Sequence, residues 1–82
     1  STTVVYKVKN RLAKTYKLKE DERSDGFDES GNQIIINKNE DFDHLISRLM
    51  RYAGNCEIVS PKPLREKMQA VINKTLANYE NE

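Results

Sequence analysis

Apolar residues recur along this chain with two different periods, and the changes of period divide it into elements. From Thr3 to Lys9 the order Thr-Val-Val-Tyr-Lys-Val-Lys alternates and places Val4, Tyr6 and Val8 on one side of a β-branched, aromatic run. That alternation predicts a strand with one buried face. Asn10 then offers an N-cap, and Leu12, Ala13, Tyr16 and Leu18 keep helical spacing, so a short helix is expected from Arg11 to about Leu18. Lys19 to Glu29 is polar with Phe27 as its one apolar anchor, and Glu29-Ser30-Gly31-Asn32 supplies turn residues able to take positive φ. The three consecutive isoleucines within Gln33 to Asn37 read as a central strand, and the two segments together as a hairpin with a weak first arm.

The second half is patterned more strongly. Glu40 or Asp41 opens a helix in which Phe42, Leu45, Ile46, Leu49, Met50 and Ala53 follow the i, i+3, i+4, i+7 rule, and Gly54 stands where a left-handed C-cap is wanted. Cys56 to Val59 forms the next strand. Pro61 and Pro63 end it, because neither has an N–H to continue a ladder. The last helix begins either at Pro61, capped by Ser60, or at Pro63, since Lys62 precedes a proline and resists α geometry. Leu64, Met68, Val71, Ile72, Thr75, Leu76 and Tyr79 give it an apolar stripe over about four turns, and Glu80-Asn81-Glu82 is expected to fray. Strand, helix, strand, strand, helix, strand with right-handed crossovers predicts an α+β ferredoxin-like split β-α-β-β-α-β sandwich, two helices on one face of an antiparallel sheet, with an additional C-terminal helix.

Composition narrows the function classes. Eighty-two residues make one domain with a thin core. Fourteen basic against 13 acidic side chains leave a net charge of +1, too small an excess for a dedicated nucleic-acid binder. The single cysteine, Cys56, has no internal partner, and no apolar run is long enough for a signal peptide or a membrane span, so a cytoplasmic protein is expected. The chain opens Ser-Thr-Thr, which reads as a piece cut from a longer protein.

Little in the sequence carries reaction chemistry. His44 has no His or Cys at i+3 or i+4 to share a metal and reads as a surface residue; Cys56 reads as a small buried hydrophobe. Acidic clusters at Glu20-Asp21-Glu22, Asp25, Asp28-Glu29 and Glu40-Asp41-Asp43 lack calcium-loop spacing and read as solvated turn and helix-start carboxylates. With only Gly26, Gly31 and Gly54, the chain builds no phosphate-binding loop. Neither the glycine-rich loop and arginine of acylphosphatases nor the aromatic strands of RNA-recognition motifs are present, so no enzyme activity, cofactor or metal site is expected. The remaining candidates form an interaction surface: Arg48 and Arg51 on the second helix, Arg65 at the start of the last, and Ile72 and Tyr79 on its stripe. The plainer reading of Arg65 is a structural one, paired with a carboxylate such as Glu57 or Asp43.

The stretch Cys56-Glu57-Ile58-Val59-Ser60-Pro61-Lys62-Pro63-Leu64-Arg65-Glu66-Lys67-Met68, with the helix and Gly54 before it, resembles the C-terminal extension (WCX) of bacterial WYL-domain transcriptional regulators. In that family a strand of the type x-V-x-V-L/V precedes P-x-x-L-R-x-x-hydrophobic and a helix ending near a Tyr; the corresponding positions are Ile58, Val59, Pro61, Leu64, Arg65, Met68 and Tyr79. Motif matching is confined to residues 41 to 79. The resemblance implies the same ferredoxin-like fold and a full-length chain with a winged-helix DNA-binding domain and a WYL effector-binding domain. This segment is then an accessory module that supports dimerisation and effector response, touching DNA only through the N-terminal domain. The chain has no Trp and no W-Y-L triplet, so nothing of the effector pocket carries over. A free-standing ACT-like small-molecule sensor and an RNA-recognition-like module are the alternatives.

Overall fold

The computed structural model describes residues 2–80, which form β1 (Thr3–Val8), α1 (Arg11–Thr15), β2 (Glu22–Phe27), β3 (Gln33–Lys38), α2 (Phe42–Met50), β4 (Cys56–Ser60) and α3 (Lys62–Glu80), with a 3-10 turn at Ala53–Asn55. The architecture is α+β. Four strands make one sheet in the order β2-β3-β1-β4, and every neighbouring pair is antiparallel.

The alternation in β1 sets the layers. Tyr6 lies opposite Ile35 of β3 and Ile58 of β4, Val4 opposite Asn37, and Val8 opposite Gln33 and Cys56, so these side chains share one face. That face holds the core: Val4, Tyr6, Val8, Ile35 and Ile58 from the sheet close against Leu45, Ile46 and Leu49 of α2 and Leu64 of α3. The opposite face carries Val5, Lys7, Ile34 and Ile36. α3 has 19 residues and so runs about 28 Å at the usual helical rise, which accounts for much of the molecule's 42 Å longest dimension. Only its first turns reach the core, through Leu64, Met68 and Val71.

Several expected details come out differently, for local reasons. α1 stops at Thr15, not near Leu18, because Tyr16 turns extended (φ −60°, ψ 129°) and its ring leaves the helix to pack edge-on against Tyr6 and Tyr52. Asn10 makes no side-chain cap; its amide donates to Asn55 Oδ1 at 2.8 Å and ties α1 to the turn before β4. In the weak hairpin arm, Gly26 (φ 86°) takes up a register shift between Ser24 and Phe27, and Phe27 is left 59% exposed instead of anchoring the strand. Gly31 (φ 82°) closes the hairpin turn while Asp28 Oδ1 accepts the Ser30 and Asn32 N–H groups at 2.9 and 3.0 Å.

Asp41 caps α2 by accepting the His44 N–H at 3.1 Å. At the other end Ala53, not Gly54, occupies the left-handed region (φ 50°). α3 begins at Lys62, between the two anticipated starts. The Pro61 carbonyl accepts the Leu64 and Arg65 N–H groups at 3.1 Å each, and Pro63 falls in the first turn, where its missing N–H breaks no bond. Among the described residues no helix is long and apolar enough to cross a membrane.

Candidate functional site

Two features stand out on the core side of the sheet: a buried polar network at the β2–β3 end and an apolar groove at the β4 end. The network begins with Glu22, the first residue of β2, which pairs with Asn37 and therefore projects onto the core face. Its carboxylate is fully buried, and it accepts hydrogen bonds from the Tyr6 hydroxyl, the Tyr16 hydroxyl (2.7 Å), Asn37 Nδ2 (2.8 Å), Arg48 Nη2 (2.9 Å) and the Lys19 N–H (3.0 Å). Glu40, in the loop before α2, is gripped by Arg48 through Nε (3.1 Å) and Nη2 (2.8 Å) and by Asn37 Nδ2 (2.8 Å). Arg48 also donates from Nη1 to the Tyr16 oxygen at 3.1 Å, so one guanidinium ties α2 to the α1–β2 connection, to β2 and to its own N-terminal loop.

Burial alone pushes the Glu22 carboxyl up, but the hydrogen bonds from Tyr6, Lys19, Tyr16 and Asn37 outweigh it and hold the group at about 2. Arg48 holds Glu40 below the ordinary carboxylate range. Burial raises the Tyr16 hydroxyl to about 12 and the Tyr6 hydroxyl further. These four groups keep one protonation state across neutral pH, which suits a structural clamp and not proton transfer. Asn37 Oδ1 is buried with no hydrogen-bond partner among the described residues. Above the network lies an open cleft rimmed by Lys19, Asp21, Asn39, Asp41 and His44. His44 is exposed and reaches Glu40 at 3.4 Å.

The groove, of about 400 Å³, runs between the end of α2, β4 and α3. Leu49, Met50, Cys56, Ile58, Met68 and Ile72 line it, with Arg65 and Glu57 at one rim. Arg65 donates to Glu57 Oε2 (3.0 Å) and to the Ile58 carbonyl (2.6 Å), and Lys9 holds the same carboxylate from the other side at 2.7 Å. Burial pushes the Cys56 thiol up to about 12, so it lines the groove as an apolar group and not as a nucleophile. Among the described residues no cluster of three or more His, Cys, Asp or Glu side chains is arranged to hold a metal ion.

The structure separates the five residues anticipated as one surface. Arg48 is corrected: its side chain is 12% exposed and is spent inside the network, because burying Glu22 demands a cation at that point. Arg51 is exposed at the C-cap of α2. Arg65 pairs with Glu57, the plainer of its two readings, and shares the groove with Ile72. Ile72 is 47% exposed and Tyr79, farther along α3, is 82% exposed.

Sequence reasoning did not assemble Tyr6, Tyr16, Glu22, Asn37 and Glu40 into a site. Two signals pointed there: a tyrosine at a buried strand position must find a partner for its hydroxyl, and Asn37 falls on the core face directly after the isoleucine run. No family model matches the chain, and no curated protein matches it.

Proposed function

We propose that this chain is a non-catalytic accessory module, a ferredoxin-like split sandwich with an added helix, of the kind that forms the C-terminal extension of WYL-domain regulators. In that role it supports dimerisation of a cytoplasmic transcriptional regulator and its response to an effector, while DNA is contacted only by the helix-turn-helix domain of the full-length protein. The strand order β2-β3-β1-β4 with antiparallel neighbours supports the fold assignment.

The observation that carries the reading is the coherent work done by the residues of the P-x-x-L-R-x-x-hydrophobic stretch. The Pro61 carbonyl starts α3, Leu64 is fully buried, Arg65 reaches back to the Ile58 carbonyl and Glu57, and Met68 packs on the core. Together they lock the start of α3 to β4, while Ile72, Leu76 and Tyr79 farther along the helix are exposed. The closed hydrogen bonding of the polar network, in which Arg48 answers both Glu22 and Glu40, supports a structural and not a chemical role for the sheet's other end.

The test is the size and make-up of the native polypeptide, detected in cell extract with an antibody to this domain and sequenced by mass spectrometry. A chain much longer than 9.5 kDa with a winged helix near its N-terminus is expected. A free-standing polypeptide of about that mass would overturn the proposal.

A further inference from the structure

We infer that α3 is a self-complementary interface: two copies of this chain pair through antiparallel α3 helices about a twofold axis at Ile72, each placing the distal half of its helix in the other's groove. This rests on the self-association part of the proposed function and names its partner and geometry.

Arg65, Met68, Ile72, Leu76 and Tyr79 follow one another at intervals of three or four and so share one face of α3. The first three of them wall the groove, facing Leu49, Cys56 and Ile58. The same face then continues along α3, and among the described residues Ile72, Leu76 and Tyr79 are the large exposed apolar residues of that helix. An apolar groove and an apolar stripe thus lie end to end on one helix, with Ile72 at the junction.

The residue order about Ile72 says what covers both. Four residues to either side stand Met68 and Leu76, three to either side Gln69 and Thr75, seven to either side Arg65 and Tyr79. An antiparallel pair centred on Ile72 therefore sets isoleucine on isoleucine, methionine on leucine, amide on hydroxyl, and guanidinium on a tyrosine ring, a favourable cation–π contact. It also brings Glu80 against the Lys62–Arg65 turn, with opposite sign of charge. The reach agrees: Ile72 to Tyr79 and Arg65 to Ile72 are both seven residues, about 10 Å of helix. A parallel pair would stack Arg65 on Arg65 and leave both grooves empty.

Engineered disulfides in a Cys56→Ala background test the register. Packed helices lie about 8–10 Å apart with Cα atoms about 2.3 Å from each axis, which puts facing Cα atoms within disulfide range. The chain is expected to sediment as a dimer in the micromolar range, and Ile72→Glu to raise the dissociation constant at least about tenfold. Ile72→Cys alone should cross-link to itself. Met68→Cys and Leu76→Cys should cross-link efficiently only when mixed. A dimer in which Leu76→Cys cross-links with itself overturns this interface while keeping self-association. A strict monomer at several hundred micromolar overturns both, with the length of the native polypeptide remaining a separate test of the module assignment.

Discussion

Replacing Arg48 by methionine keeps most of the aliphatic stem and removes the charge that answers two buried carboxylates. Glu22, whose side chain is fully buried, would lose a donor at 2.9 Å, and Glu40, at the floor of the open cleft, two donors at 2.8 and 3.1 Å. Breaking a buried pair from one side costs about 3–5 kcal/mol, because the remaining charge stays desolvated. A domain of this size holds only about 4–12 kcal/mol in total, so much of the native state's margin is at stake.

The effect also carries a pH signature. In the parent, Glu22 sits at about 2 against 4.5 in an unconstrained chain, so its contribution is present above pH 4.5 and is lost as pH falls through about 2. In the variant Glu40 loses the guanidinium that holds it below the ordinary carboxylate range, while the Tyr6, Lys19, Tyr16 and Asn37 hydrogen bonds still hold Glu22, so the stability lost at neutral pH is the share that low pH removes from the parent as well. The gap between parent and variant should therefore narrow from pH 7 to pH 4. Urea unfolding followed by circular dichroism at both pH values measures it. A loss under about 1 kcal/mol at pH 7, or an equal loss at both pH values, would show that the network does not hold the fold.

Leu49→Ala should cost about 2–5 kcal/mol and leave the chain largely unfolded at 37 °C, since Leu49 is buried between the sheet and the groove; a melting temperature within a few degrees of the parent would refute its place in the core. Ala53→Gly should raise the melting temperature by a few degrees, because relief of the left-handed strain at φ 50°, about 1–2 kcal/mol, exceeds the entropy glycine adds to the unfolded chain; no gain in a thermal scan would refute it. The Cys56 thiol, raised to about 12 by burial, should react with a disulfide reagent at pH 8 far more slowly in the folded chain than in urea, and equal rates would contradict its placement.

The sequence by itself determined the elements whose patterns are long and regular. The alternation of β1, the isoleucine run of β3, the helical spacing of α2 and the proline break before α3 each announce their element, and all four formed, although α2 stops at Met50, short of Ala53, and α3 starts at Lys62, between the two anticipated positions. Tertiary structure decided the polar connections. α1 ends early because Tyr16 is worth more in the network than in another helical turn, and Arg48, which by spacing looks like a flank residue, turns inward because Glu22 and Asn37 arrive at the same depth from strands 15 residues apart in sequence. Nothing local in Glu20-Asp21-Glu22 distinguishes the acid that is buried from the two that are not. That choice is made by strand register, which turns Glu22 toward Asn37 and the core, and register is a property of the assembled sheet.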